Sequence, residues 1–300
     1  MTRIILQEPF RAVFYTPYYA ALARGDFARQ GLEVVSRIVA PDEATANLLS
    51  GAADLAWSGP MRVIRDHGSD ADSPLVSFGA VVMGDPFLIL GRTPRPGFRV
   101  TDLAGLRLGV VSEVPTPWWC LQQDLRRAGA DPASVQVVTG RGMAENLEAM
   151  LAGEIDAVQL FEPFVSLAEA RGASIWHAQA ARGPTSYTTF FTTRATLAAK
   201  RAAMRGMLRG IATMQAWLHA ASPAEIAETV APCFAELDRA VLTQAIARYR
   251  ALGIWSRTPH FPPRAFETLA ESIFGCGAIA RRPGFAECCD TAIEAEALDV

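Results

Sequence analysis

Apolar residues in the first half of the chain come in short unbroken runs, separated by stretches with helical spacing. IILQ (4–7), EVVSRIVA (33–40), ADLAWSG (53–59), LVSFGAVV (75–82) and PFLILG (86–91) are too short for helices and read as strands. Between them, YYAALARGDFARQG (18–31) has helical spacing with a stop at Gly31. DEATANLL (42–49) carries acidic residues in its first turn and closes at Gly51, and PMRVIRDHG (60–68) opens on Pro60. The pattern then restarts. DLAGLRLGVV (102–111), VQVVTG (135–140) and EIDAVQLFE (154–162) read as strands. PTPWWCLQQDLRRAG (115–129), MAENLEAMLAG (143–153) and PFVSLAEARG (163–172) read as helices. This alternation predicts an α/β protein with parallel sheets, whose strands are buried on both faces. After Tyr187 one strand, TTFFTTR (188–194), precedes helical segments at 195–220, 223–231, 236–250, 263–275 and 285–298.

One phrase occurs twice. LLSGAADLAWSGP (48–60) and MLAGEIDAVQLFEP (150–163) both run Leu, x, Gly, x, x, Asp, apolar run, Pro. Gly51 and Gly153 suit the left-handed residue that ends a helix. Asp54 and Asp156 stand at strand entrances, where they could accept backbone N–H groups of the turn. Pro60 and Pro163 open the next helix beyond the strand's carboxyl end. Ligands of open α/β sheets bind there, beside helix N-termini. Two such units face to face make a cleft with two walls.

Charge and composition narrow the function. A net charge of −3 and the lack of any Lys/Arg run give no footprint for nucleic acid. No stretch reaches the roughly 18 apolar residues of a membrane span. MTRIILQEPFR has only a four-residue apolar run, short of the roughly 7–15 a secretory signal needs. The expected location is therefore cytoplasmic, or periplasmic if a leader precedes Met1. Lys200 is the sole lysine against 27 arginines, so one side chain alone could form a Schiff base. Cys120, Cys233, Cys276, Cys288 and Cys289 show no metal-ligand spacing and read as reduced thiols, most of them buried. No metal and no cofactor is called for.

Five stretches carry a family resemblance: TPYYAALARGDFARQGLEV (16–34), LLSGAADLAWSGP (48–60), DLAGLRLGV (102–110), LRRAGADPASVQVV (125–138) and MLAGEIDAVQLFEP (150–163). GAIARRPGFAECCDTAIEAEAL (277–298) fits as the closing segment. In this order the chain resembles the type II periplasmic-binding-protein fold, in its SsuA/THI5-like, or NMT1-like, branch. The resemblance implies two lobes, residues 1–83 with 188–300 and residues 84–187, joined by crossovers near MGDP (83–86) and PTSY (184–187). It implies a small-molecule ligand held between lobes that close by hinge motion, and an ABC permease as partner.

The strand-end loops supply the candidate lining. The first lobe offers Tyr15, Thr16, Trp57, Ser58, Gly59 and Arg62. Arg62 is a cation in the first turn of a helix, which points to an anionic partner. The second offers Glu113, Thr116, Trp118, Trp119, Arg141, Phe161 and Glu162, and Tyr187 stands at the second crossover. Adjacent Trp118 and Trp119 cannot face one core together, so one is expected as a stacking wall. Such a lining suits a flat aromatic or heterocyclic solute with one or two polar groups. An enzyme on the same fold is the alternative. The pyrimidine synthase of thiamine biosynthesis resembles the chain in outline, but its lysine and histidine correspond to Ser58 and Arg62, and its cysteine motif falls on RGPTSYTT (182–189). A decarboxylase or desulfinase would use Cys120 as its nucleophile, yet His67, His177, His219 and His260 all lie outside the strand-end loops. A cytosolic ligand sensor on this fold, docking a partner through its C-terminal tail, is the third reading.

Overall fold

The computed structural model describes residues 1–40 and 43–298. Its strands are β1 (Thr2–Glu8), β2 (Leu32–Ile38), β3 (Leu55–Ser58), β4 (Leu75–Val82), β5 (Leu88–Gly91), β6 (Arg107–Val111), β7 (Gln136–Arg141), β8 (Ala157–Leu160), β9 (Ser174–Ala178) and β10 (Thr188–Thr193). They form two five-stranded sheets, in the orders β2-β1-β3-β10-β4 and β7-β6-β8-β5-β9. The two orders are the same pattern written twice, with β3 and β8, the strands of the repeated phrase, at the centre of each sheet.

The sheets are mixed, where the alternation of elements predicts parallel ones. β1 runs parallel to β2 and β3, and β6 parallel to β7 and β8. β10 and β5 run antiparallel to their neighbours. Each enters its sheet directly after a stretch of chain in the other, so no α-helix of the kind that joins parallel neighbours precedes it. β9 escapes the sequence pattern because SIWHA forms a half-buried edge strand rather than an apolar run. The helical run 18–31 breaks after Thr16–Ala23, where Gly25 turns left-handed, and 195–220 parts at Lys200 into Arg194–Ala199 and Arg201–Ala220. The helix Glu43–Leu49 forms as expected, while Asp42 of its first turn lies outside the described residues. Among the described residues no helix is long and apolar enough to cross a membrane.

In both copies of the repeated phrase the glycine has a left-handed backbone, φ 75° at Gly51 and 82° at Gly153, conformations that a residue with a Cβ adopts only under strain. The aspartates act across the sheet rather than within the turn. The Asp54 N–H donates to the Ile5 carbonyl and the Ile5 N–H returns to Asp54 Oδ2, both at 2.9 Å. Asp156 and Arg107 exchange the same two bonds, again at 2.9 Å each. Each carboxylate also holds a cation: Lys200 Nζ lies 2.6 Å from Asp54 Oδ1, and Arg107 Nη2 lies 2.8 Å from Asp156 Oδ1. The aspartate thus pins the register of a central strand to its parallel neighbour.

Two connectors join the sheets, residues 83–87 and 179–187. They run side by side: the Thr185 N–H donates to the Met83 carbonyl at 2.9 Å, and the Tyr187 N–H to the Val82 carbonyl at 2.8 Å. Asp85, fully buried, accepts at Oδ2 from the Tyr187 hydroxyl (2.6 Å), Gln179 Nε2 (3.0 Å) and Arg182 Nη1 (2.5 Å), and at Oδ1 from the Phe87 N–H (2.9 Å). Arg182, its side chain 1% exposed, also pairs with Asp124 through Nε at 2.9 Å. The helical tail spans both halves. Helix Pro263–Gly275 meets helix Thr116–Arg127 through Glu271, which accepts from Gln123 (2.9 Å) and Arg127 (2.7 Å). Helix Arg239–Ala251 meets helix Phe164–Ala170 through Arg248 and Glu169.

Two stability measurements follow from these bonds. Asp85→Ala leaves Arg182 with half of its buried countercharge, and we expect it to lower the urea-unfolding free energy by about 3 kcal/mol or more. Arg107 holds the Asp156 carboxyl down to about 2. A depressed carboxylate stabilises the fold above its unfolded pKa of about 3.9, and that contribution is lost as pH falls through its folded value. Asp156→Asn should therefore cost about 1 kcal/mol at neutral pH, a figure reduced for solvent screening, and the gap to the wild type should close between pH 4 and pH 2.

Candidate ligand-binding cleft

The carboxyl ends of β1, β3, β6 and β8 converge on one narrow cleft between the sheets. The loop after β1 contributes Pro9, Phe10, Phe14 and Tyr15, and the turn after β3 contributes Ser58, Gly59, Met61 and Arg62. Val114 and Thr116 come from the turn after β6, Phe161 from the end of β8, and Phe87 and Tyr187 from the two connectors. Helices Thr16–Ala23, Met61–Ser69 and Thr116–Arg127 begin at these turns, so their N-termini, the positive ends of the helix dipoles, lie beside the cleft. The cavity is about 40 Å³, room for only a few water molecules.

The walls are aromatic. Phe161 meets Phe14 and Phe87 edge-on, with centroids 5.2 Å apart in both cases. Tyr15 is almost fully buried, and burial pushes its phenol well above the ordinary range. Tyr187 shows the cleft only its ring, because its hydroxyl is bound to Asp85. Arg62 is the one charged side chain among the described lining residues, and its Nε donates to Ser58 Oγ at 3.3 Å. Just behind Pro9, Glu8 is buried and accepts from the Tyr19 hydroxyl at 2.6 Å, and burial pushes its carboxyl up to about 7.

Of the residues singled out in the sequence, Tyr15, Ser58, Gly59, Arg62, Thr116, Phe161 and Tyr187 meet in this cleft. The others lie elsewhere, each for a physical reason. Thr16 is turned into the protein at the first helix, fully buried. Trp57 lies beneath the cleft floor, its ring against Tyr15 (5.8 Å), Tyr18 (5.3 Å) and Phe190 (5.2 Å). Trp118 and Trp119 point to two different apolar clusters, Trp119 with the Arg65 guanidinium 5.7 Å from its ring, and neither walls the cleft. Glu113 is exposed and accepts the Met143 N–H at 2.9 Å, capping the helix Met143–Ala152. Arg141 pairs with Glu154 at 3.1 Å. Glu162, fully buried, accepts from the Ser166 N–H at 3.0 Å and from Arg248 Nε at 2.6 Å.

Sequence reasoning passed over Phe10, Phe14, Met61, Phe87 and Val114. Their signal was position: each stands in a strand-end loop or connector, where an apolar residue looks like core until the second wall is known. Among the described residues no cysteine or histidine lines the cleft. Cys120 is fully buried in the helix Thr116–Arg127, and burial pushes its thiol up to about 11. All five cysteines are free thiols. Lys200 sits with Asp54 at the entrance of β3, the end away from the cleft. Among the described residues no group of His, Cys, Asp and Glu side chains is arranged to hold a metal ion.

The candidate binding protein YtlA of Bacillus subtilis is 26% identical over 275 residues, covering 90% of this chain and 82% of YtlA. The periplasmic aliphatic sulphonate binding protein SsuA of Escherichia coli superposes with a TM-score of 0.77 at 17% identity, over 98% of this chain and 99% of SsuA. The desulfurization enzyme DSZB superposes with a TM-score of 0.66 at 13% identity, over 100% of this chain and 99% of that one. The architecture is that of the SsuA-type binding proteins, an α/β fold that also serves an enzyme. The profile of the NMT1/THI5-like family matches residues 13–226, and the chain belongs to that family.

Proposed function

We propose that the protein is the solute-binding component of an ABC-type importer, and that it captures a small flat aromatic or heterocyclic molecule carrying one anionic group. One observation carries this reading: a cleft walled by phenylalanine and tyrosine rings, with Arg62 as the one charged side chain among the described lining residues and three helix N-termini beside it. Rings supply flat apolar surface, and the cation with the helix ends supplies a place for negative charge. Ser58, the one hydroxyl at the turn after β3, has Tyr15 and Arg62 as its neighbours, and among the described lining residues no histidine or carboxylate stands beside it to take its proton. Family membership and the likeness to SsuA support binding for transport.

In this reading, residues 1–83 with 188–300 form one lobe and residues 84–187 the other. The connectors act as the hinge, with Asp85 keeping them together while the lobes turn. A cavity of about 40 Å³ admits no ring, so the lobes part to load solute and close over it. The helix Arg239–Ala251 works as a latch, because Arg248 grips Glu162 and Glu169 and the Tyr249 hydroxyl accepts the Glu162 N–H at 2.8 Å. In this reading the closed form is the one presented to the permease, and the protein works in the periplasm, the alternative to the cytoplasmic location that its N-terminal residues suggest. Cell fractionation checks that location, and protein found only in the cytosol would favour a sensor.

Calorimetry with benzenesulfonate and neutral benzamide tests the ligand. Arg62→Gln should weaken benzenesulfonate about tenfold to a hundredfold and leave benzamide nearly unchanged, the loss of one charge-assisted contact. Equal effects on both compounds would remove the anion from the reading, and chemical change of any bound compound, read by mass spectrometry, would replace transport with catalysis. Arg248→Met touches no lining residue. It should enlarge the radius of gyration in X-ray scattering and weaken benzenesulfonate severalfold by loosening the closed form.

A further inference from the structure

Phe10 stands between the two walls rather than in either. Its ring stacks on Tyr15 with centroids 5.9 Å apart and planes 18° from parallel, and on Phe161 at 6.1 Å and 14°. Tyr15 follows β1 and Phe161 follows β8, so Phe10 makes near-parallel ring contacts with one residue from each sheet. Both contacts fall in the range of offset aromatic stacking. Around this slot the rings turn edge-on: Phe14 lies 68° from Tyr15 and 82° from Phe161, and Phe87 lies 75° from Phe161. Near-parallel rings from both sheets, with edge-on rings beside them, describe a place for one flat ring, and a side chain of the protein fills it.

Phe10 is also the least anchored ring of the set. Phe14, Tyr15 and Phe161 are each less than 5% exposed, while Phe10 is half-buried. It lies in a bend between Pro9 and Arg11, outside any helix or strand. Among the described residues no hydrogen bond holds its backbone. The nearest tie is on the next residue, where Arg11 Nη1 donates to the Cys233 carbonyl at 3.1 Å. The cavity beside it is too small for a ring, so lobes that close again to this arrangement over a bound ring need one of the resident rings moved aside.

We propose that Phe10 is a displaceable plug: its ring occupies the slot between Tyr15 and Phe161 that the aromatic ring of the ligand takes on binding. The inference rests on the aromatic-solute reading above and adds the residue that sets which rings enter. A solute binds only by offering the slot more than Phe10 does, which selects for planarity and for one-ring width. Every binding event also carries the cost of turning Phe10 out, as for any protein whose competent state is a fraction of the whole.

Cavity complementation tests the plug without the natural ligand. In thermal-shift measurements, toluene should raise the Tm of Phe10→Ala by about 3 °C or more and leave the wild type unmoved. Benzenesulfonate should bind Phe10→Ala about tenfold tighter than it binds the wild type, because nothing has to be displaced. If toluene fails to stabilise Phe10→Ala, or benzenesulfonate binds it more weakly than the wild type, Phe10 is a fixed wall and the proposal falls. Stabilisation by toluene with no binding of benzenesulfonate to either protein keeps the plug and removes the anionic solute. Phe10→Trp gives a second readout that needs no truncation. Its emission, taken as the difference from the wild type, should shift to the red as benzenesulfonate turns the indole out to water, and an unshifted spectrum on saturation would overturn the plug.

Discussion

Asp85 is a carboxylate with no exposure to water, sitting where the chain first leaves one sheet for the other. A charge taken so far from solvent persists only when its lone pairs are met, and here both oxygens are, by Tyr187, Gln179, Arg182 and the Phe87 backbone. Three of those partners come from the return connector or its approach. The bond set therefore ties the outgoing crossover to the returning one and fixes where β5 and β10 enter their sheets. Because the cleft is built from strand ends, this buried carboxylate, with the backbone bonds between the connectors, sets how its walls face one another.

The repeated phrase shows how a chain obtains two matching walls from one device. A left-handed glycine ends the helix, an aspartate pins the next strand to its parallel neighbour, and a proline starts the following helix. These parts do the same work in each sheet. What differs is the side chain delivered at the strand end. Trp57 is packed beneath the floor and supports Tyr15, whereas Phe161, at the end of a run one residue longer, reaches the opening and meets rings from the first half. Shared architecture sets the wall, and the letters that are not shared set its surface.

Charges expected at the cleft illustrate competition for partners. Glu113, Arg141 and Glu162 stand in strand-end loops, yet each finds a closer partner: the Met143 N–H, Glu154, and Arg248 with Ser166. Each charge takes the nearest opposite charge or free backbone group, which lies at the start of the helix Met143–Ala152 for Glu113, in the loop after that helix for Arg141, and in the helices Arg239–Ala251 and Phe164–Ala170 for Glu162. Arg62 is the one charged side chain among the described lining residues, and its Nε donates to Ser58 Oγ.

The amino-acid sequence by itself determined the alternation of strand and helix, the duplicated unit, the family and the general place of the cleft. Local patterns carry those: apolar runs of strand length, glycine stops, and turns beyond strand ends. It was enough to pick Tyr15, Ser58, Arg62, Thr116, Phe161 and Tyr187 as neighbours in space. Only the tertiary structure decided that β5 and β10 run antiparallel, that the two tryptophans at 118 and 119 serve two separate cores, and that Phe10 lies between the walls. Each of these turns on contacts between segments far apart in the chain. A local window shows that a residue is aromatic or charged, and the partner that claims it comes from the other sheet or from the helical tail.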